Sequence, residues 1–217
     1  MSQNCFIRHF TIFDVEEVAS LYAEVFLERA PTFRVLNLTV DVIYEEFTKP
    51  LCKTADERVS FVCEDLSLPK GKNIIAFRLS KTFTTKDNPI GELQVAPLYA
   101  LTKHLKEEWV KKHPEIGHDE AKQKNVLHFM SLGVKKGYEN LGIASRLANV
   151  ALKQAKALGF KKVVVQAISE QSQYVFLKKF NFKDGYSIDF KDFEFKGRKP
   201  FSSIEKPNRA MLLEQDL

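Results

Sequence analysis

Cysteine is scarce: Cys5, Cys52 and Cys63 are the three in 217 residues. An odd number, with no CxxC pair and no paired histidines beside them, argues against a disulfide framework and against a metal site, zinc above all, and leaves buried thiols. Long apolar runs are missing as well. No stretch nears the roughly eighteen uninterrupted apolar residues of a membrane helix, and the start from Met1 to His9 has no signal-peptide apolar region. No membrane association and a cytosolic or nucleocytoplasmic setting are therefore expected. Neither sign of charge dominates: 33 Lys and Arg against 28 Asp and Glu leave +5, which suits an anionic ligand but is too small and dispersed for nucleic acid. Two common phosphate loops are lacking too, since no Gly-Lys-Ser/Thr closes a Walker pattern and no three-glycine fingerprint follows the first strand. What the chain has in quantity is phenylalanine, 18 residues within a 44% apolar composition. So much aromatic surface excludes a disordered or collagenous chain, and the length suits one domain, residues 1–217.

Patterning gives the order of elements. Residues 5–11 read as a strand, and Asp14 with Glu17 three residues on reads as the capped start of a helix whose buried face is Val15, Val18, Ala19, Tyr22, Val25 and Phe26. A second helix is predicted from Thr39, with Val40, Ile43, Tyr44 and Phe47 on one side and Glu45, Glu46 and Lys49 facing water, ended or kinked by Pro50. Residues 59–64 and 73–80 read as a hairpin through the Pro69-Lys-Gly-Lys turn. Residues 84–125 interrupt the pattern with a loop at Asp87–Gly91 and a helix marked by Leu98, Leu101, Leu105 and Trp109, and are read as an insertion that could form a lid. Then follow strand 126–134, a loop, helix 145–158 with Leu147, Ala148, Ala151, Leu152, Ala155 and Leu158 inward, apolar strand 162–168 and a helix over 170–180. In the tail Tyr186, Ile188 and Phe190 alternate, Phe193 and Phe195 resume out of phase as after a bulge, and 208–213 can pair with them.

The informative segment runs from Leu132 to Leu147, a strand entering a helix through a glycine-containing loop. Such a junction offers unpaired N–H groups at a positive helix end, a ready site for phosphate oxygens. Glu139-Asn-Leu-Gly-Ile-Ala144, preceded by Leu132-Gly-Val134, resembles the acetyl-CoA loop Gln/Arg-x-x-Gly-x-Gly/Ala of the GCN5-related N-acetyltransferase (GNAT) superfamily. The downstream order is similar as well, with Asn181-Phe182 where the family has Gly-Phe. The segment Tyr138-x-x-Leu-Gly-Ile-Ala-x-Arg-Leu147 and the tail from Asp192 look most like the arylalkylamine and dopamine N-acetyltransferases. The resemblance implies an α/β (α+β) fold: a mixed, mostly antiparallel twisted sheet flanked by helices, with one splayed parallel strand pair. It implies acetyl-CoA as cosubstrate and a small primary amine as partner, with arylalkylamines ahead of polyamines or protein amines. The backbone of Leu132, Gly133 and Val134 would pair with the pantetheine arm. The N–H groups of Asn140, Leu141, Gly142, Ile143, Ala144 and Ser145 would cradle the pyrophosphate, with Lys135 and Lys136 adding attraction. Glu139 departs from the family's Gln or Arg and brings like charge to that cradle. A CoA-binding module that has lost the chemistry is the rival reading, and nothing in the sequence speaks to oligomeric state.

Acetylating an amine requires a base, because an alkylamine with a pKa near 10 is almost wholly ammonium at neutral pH. It also requires a donor for the oxyanion, for which a strand N–H near Gly133 or Val134 is available. Glu28 is the first candidate base, in Phe26-Leu-Glu-Arg-Ala-Pro31, which resembles the family's Phe-x-Asp-Glu-Pro approach to the substrate pocket. His128 is the second; six residues before Val134, it shares that residue's sheet face unless a bulge intervenes. For the acid, the place where many superfamily enzymes carry Tyr falls on Leu177, with Tyr174 one turn earlier. Ser169 matches one of the two serines of the dopamine branch, Gln173 stands at the other's place, and Ser169 equally fits an N-cap. His113, His118 and Glu115 are read as a solvated loop rather than a metal cluster, and Trp109 as packing, or as part of an amine pocket should its segment be a lid.

Overall fold

The computed structural model describes residues 5–86 and 93–217; the loop read at Asp87–Gly91 lies outside them. Seven strands, β1 (Cys5–His9), β2 (Phe61–Asp65), β3 (Ile74–Thr82), β4 (Val126–Val134), β5 (Lys162–Ala167), β6 (Lys183–Asp189) and β7 (Arg209–Asp216), form one sheet in the order β1-β2-β3-β4-β5-β7-β6. Every neighbouring pair is antiparallel except β4 with β5. That mixed sheet is the expected α/β class, and its parallel pair is splayed: Val126–Phe129 face Lys162–Val165, and β4 then runs on without β5.

Helices cover both faces. One face carries α1 (Val15–Arg29), α2 (Pro31–Val35), the run α3 (Val40–Ile43), a π turn (Tyr44–Thr48) and α4 (Lys49–Cys52), and α5 (Ala96–Lys112). Short turns α6 (Pro114–Gly117) and α7 (Glu120–Gln123) lead back to β4. The other face carries α8 (Ile143–Ala157) and α9 (Glu170–Tyr174), the latter continued by a π turn (Val175–Lys179). The two apolar layers this creates hold Cys52 and Cys63 as buried free thiols.

Several local expectations are corrected by hydrogen bonding. Asp14 precedes α1 but makes no side-chain cap there; its carboxylate accepts from the Thr11 N–H and from Arg8, whose guanidinium also holds Glu64. Burial alone would raise the Asp14 carboxyl, but the Arg8 and Thr11 donors outweigh it and hold it below the usual range. Glu17, read as the other half of the cap, instead accepts from the Ile74 N–H at 2.7 Å. Pro50 neither ends nor sharply breaks its helix. It has no N–H for the Glu46 carbonyl four residues back, the chain widens into the π turn, and that carbonyl takes the Tyr99 hydroxyl at 3.0 Å. Glu46, expected in water, is half-buried and accepts from the Val95 N–H.

Leu158, expected in the core, is 43% exposed because α8 ends at Ala157 and Gly159 (φ +86°) turns the chain, so that Phe160 is buried instead. In the tail the register shift lies at Gly185 rather than after Phe190, since a Cβ there would meet the Trp109 ring at 2.7 Å. Phe193 and Phe195 are not strand residues. Phe193 stacks with Phe201, which also meets Phe190 edge-on, in a turn-rich excursion before β7. The α5 part of the segment read as an insertion packs tightly: Leu98, Leu101, Leu105 and Trp109 are all buried in the main core.

Candidate functional site

The site begins where β4 loses β5. The register of β4 on β3 shifts between Leu79 and Ser80, leaving Met130 without a partner opposite it. This bulge turns the side chains after it to the other face, so His128 lies on the α1–α5 side while Val134 packs with the α8 layer. Their even spacing therefore does not bring the two together. The N–H of Lys135 bonds Ile75 of β3 at 2.7 Å. By the alternation of an antiparallel ladder, Gly133 also turns its N–H to β3, and Leu132 and Val134 turn theirs to the open side of the fork.

Beyond Val134 the loop folds back in left-handed steps at Gly137 (φ +90°), Asn140 (φ +60°) and Gly142 (φ +74°). Gly142 caps α8 without a side chain, and no acidic residue occupies the helix's first turn, so its leading N–H groups form a positive end open to an anion. Ile143 is buried, whereas Asn140, Leu141 and Gly142 are exposed. Glu139 does not oppose this end. Its carboxylate pairs with Arg29 and accepts from the Gly137 N–H, and its own N–H, Gly137 and Arg29 hold it below the usual carboxylate range. Asn181 (φ +56°) takes the left-handed conformation that a glycine would adopt without strain.

A cavity of about 510 Å³ joins the fork from the α1–α5 side. Tyr22, Phe26, Phe33, Phe47 and Tyr99 give it an aromatic wall, joined by Leu98, and Leu132–Val134, Val165 and Ser169 bring it to the splayed strands. Among the described residues the cations Arg29, Arg78, Lys81, Lys103 and Lys106 also line it, against one carboxylate, Glu46.

Of the candidates for chemistry, His128 and Ser169 both line this cavity and Glu28 does not. On α1 the cavity-facing residues are Tyr22, Val25, Phe26 and Arg29, at steps of three and four. Glu28 falls off that stripe. Its side chain is 46% exposed and pairs with Lys136 at 3.2 Å. Ser169 caps α9, accepting from the Ser172 N–H at 3.2 Å, while the Ser172 hydroxyl donates to the Ser169 carbonyl. Gln173 bonds the Ala167 and Arg209 carbonyls and only braces this turn. Leu177 packs against the α8 layer and Tyr174 is 60% exposed, so no tyrosine from this helix reaches the cavity.

His128 is held neutral. Burial first, then the charges of Lys81, Lys106 and Arg78, push its pKa down to about 3, against a hydrogen bond with Gln166. We predict that the His128 ring signal in proton NMR does not titrate between pH 5 and 8; a midpoint near 6.5 would contradict the site's electrostatics. The linkage has a definite sign. Between the unfolded value of about 6.5 and the folded value of about 3 only the unfolded chain binds the proton, so this residue lowers stability as pH falls through that window.

Sequence reasoning missed Arg78, Lys81, Lys106 and Ser172. Arg78 carried a signal nonetheless, as a lone charge inside the apolar run Ile74-Ile-Ala-Phe-Arg-Leu79, where a buried charge needs a reason.

The acetyltransferase (GNAT) family profile matches residues 104–182. The fold is the GNAT fold. No curated protein sequence matches the chain. Among solved structures, the C-terminal condensation domain of Ebony in complex with beta-alanyl-dopamine is similar at a TM-score of 0.76 and 16% identity, covering 98% of this chain and 99% of that one. Arylalkylamine N-acetyltransferase 2 from Aedes aegypti gives 0.69 and 15%, with 99% of each chain covered. Polyamine N-acetyltransferase from Drosophila melanogaster gives 0.63 and 16%, covering 98% of this chain and 100% of that one. At these identities the likeness is one of fold. Among the described residues of this GNAT-fold chain no cluster of three metal-ligating side chains occurs, and no helix is long and apolar enough to cross a membrane.

Proposed function

We propose that this protein transfers an acetyl group from acetyl-CoA to a small primary amine seated in the cavity, arylalkylamines being the leading class. One observation carries the reading: an aromatic cavity opens onto the splayed β4 at the point where a glycine loop leads into the uncapped end of α8. The residues present fit the cosubstrate. Leu132 and Val134 have backbone groups on the open side of the fork, and a Cβ on Gly142 would meet nothing within 4 Å, so a phosphate can approach there. Acetyl-CoA would supply the activated acyl group, and its thiolate is a good leaving group that needs little help from an acid. The Val134 N–H is the oxyanion donor in this reading.

The base is where the site departs from expectation. Glu28 is turned away, and His128 cannot keep a proton at neutral pH. The cavity compensates electrostatically. Arg78, Lys81 and Lys106 disfavour an ammonium beside them, lowering the bound amine's pKa so that it sheds its proton to water. Neutral His128 then accepts a hydrogen bond from the amine and orients it, and Ser169 with Ser172 lines the opposite edge. The same cations disfavour polyamines, which bring two or more charges. The domain is read as one unit over 1–217, with 84–125 inserted as the cavity's α5 wall.

The test is thiol release from acetyl-CoA with tyramine, tryptamine, spermidine and a lysine peptide. Aromatic amines are expected to react and spermidine to lag by about tenfold or more, since one misplaced charge costs that much in a poorly screened site. CoA binding by calorimetry with no thiol release from any amine would replace this reading with that of a CoA-binding module.

A further inference from the structure

The cavity's cations raise a question the arylalkylamine reading leaves open: what neutralises Arg78? Its side chain is fully buried, stacked 3.5 Å from the Phe129 ring centroid and 5.6 Å from that of Phe176. Its Nε and Nη2 have no hydrogen-bond partner among the described residues. An arginine does not give up its proton in a protein, and a buried cation without a partner is costly. These two orphaned donors share one edge of the guanidinium, the edge that binds the two oxygens of a carboxylate side by side. Among the described residues the carboxylate lining the cavity is Glu46, and it is occupied by the Val95 N–H instead.

We propose that the acceptor amine carries a carboxylate, as an α-amino acid with an aromatic or aliphatic side chain, bound by Arg78. This rests on the acyl-transfer reading and narrows its substrate. Position supports the α-carboxylate. Phe129, on which Arg78 lies, is the last β4 residue paired with β5, so the guanidinium sits at the root of the fork where acyl transfer would occur. An amino acid places amine and carboxylate on one carbon, and Tyr22, Phe33, Phe47 and Tyr99 then receive the side chain. Arg78 lies opposite Leu132, two residues before Val134, so the protein is tested with CoA already bound, and an anion supplied by the cosubstrate would leave no difference between the amino acids and the plain amines. A carboxylate at the far end of the acyl group, as in succinyl-CoA, would carry the same chemistry from the other substrate.

The experiment compares L-phenylalanine with 2-phenylethylamine, and L-tryptophan with tryptamine. Each is titrated by calorimetry into the protein saturated with CoA, then assayed for thiol release with acetyl-CoA and with succinyl-CoA. The amino acids are expected to bind at least about thirty-fold more tightly than their decarboxylated partners, and that ratio should collapse in Arg78→Gln, as when one member of a buried charged pair is removed. Arg78→Lys, which keeps the charge but loses the two-donor edge, provides a second variant should Arg78→Gln fail to fold, with the ratio reduced rather than lost. Equal or weaker binding of the amino acids overturns the proposal, as does turnover confined to succinyl-CoA with the plain amines. Carboxylate-selective binding without thiol release strikes the transfer reading alone and leaves the anion site standing.

Discussion

Replacing Gly142 with alanine is expected to weaken CoA binding by tenfold or more while the protein stays folded. Gly142 sits at φ +74° and ψ 4°, so any L-residue there carries left-handed strain of about 1–2 kcal/mol. At 217 residues this lowers Tm by roughly 2–8 °C. A Cβ at that position would meet nothing within 4 Å, so the fold itself has room for it. Whatever the variant loses beyond strain is lost at the ligand, whose phosphates would have to approach the space the methyl occupies. The matched control is Gly159→Ala at the other end of the same helix, with φ +86° and an equally open Cβ position. Both variants should show similar falls in Tm, and Gly142→Ala alone should show the affinity loss. Equal CoA affinity in the two variants would remove the cradle from this loop.

That glycine was legible in the sequence because it punctuates a strong pattern. The strand 126–134, the alternating apolar face of α8 and the β-branched run 163–165 each state their own structure, and their order leaves few topologies. The hairpin of β2 and β3 was readable for the same reason. What the sequence did not show depends on contacts far apart in the chain. Nothing in His128-Phe-Met-Ser131 marks Met130 as the unpaired residue, since the bulge belongs to the pairing of β4 with β3. The shift at Gly185 is likewise dictated by Trp109, more than seventy positions earlier. Among site residues, the glycine loop into α8 was legible because it is local, and the Ser169 cap because a helix start announces it. Glu28 was read from a motif rather than from the face of α1, where Arg29 lines the cavity and Glu28 does not. Arg78 was overlooked because a strand pattern reports which way a side chain points and says nothing about what it meets there.

The indole of Trp109 tests whether the 84–125 segment is a cover or part of the core. It is wholly buried, meets Phe83 edge-on, stacks on His113 at 4.4 Å and donates from Nε1 to Glu214 of β7 at 2.9 Å. Glu214 also faces His113 and Lys162, each at 3.3 Å, so one carboxylate ties α5 to β5 and β7. Trp109→Ala would delete the largest buried side chain, open a void beside Gly185 and strip Glu214 of one donor. A cost of about 3–5 kcal/mol is expected, or a fall in Tm of roughly 6–20 °C by differential scanning calorimetry. Trp109→Phe should cost less than half as much, because the ring remains and only the Nε1 bond and part of the volume go. Neither change touches the cavity lining, so CoA affinity should stay within a factor of two below the transition, as expected for sites with no shared partners. A fall of under 2 °C in Trp109→Ala would mean that α5 is held loosely enough to lift, and the segment would then be the lid its sequence first suggested. A large fall in stability with CoA binding unchanged would make α5 a fixed wall, leaving the size of the bound amine to be set by a rigid aromatic cavity rather than by closure.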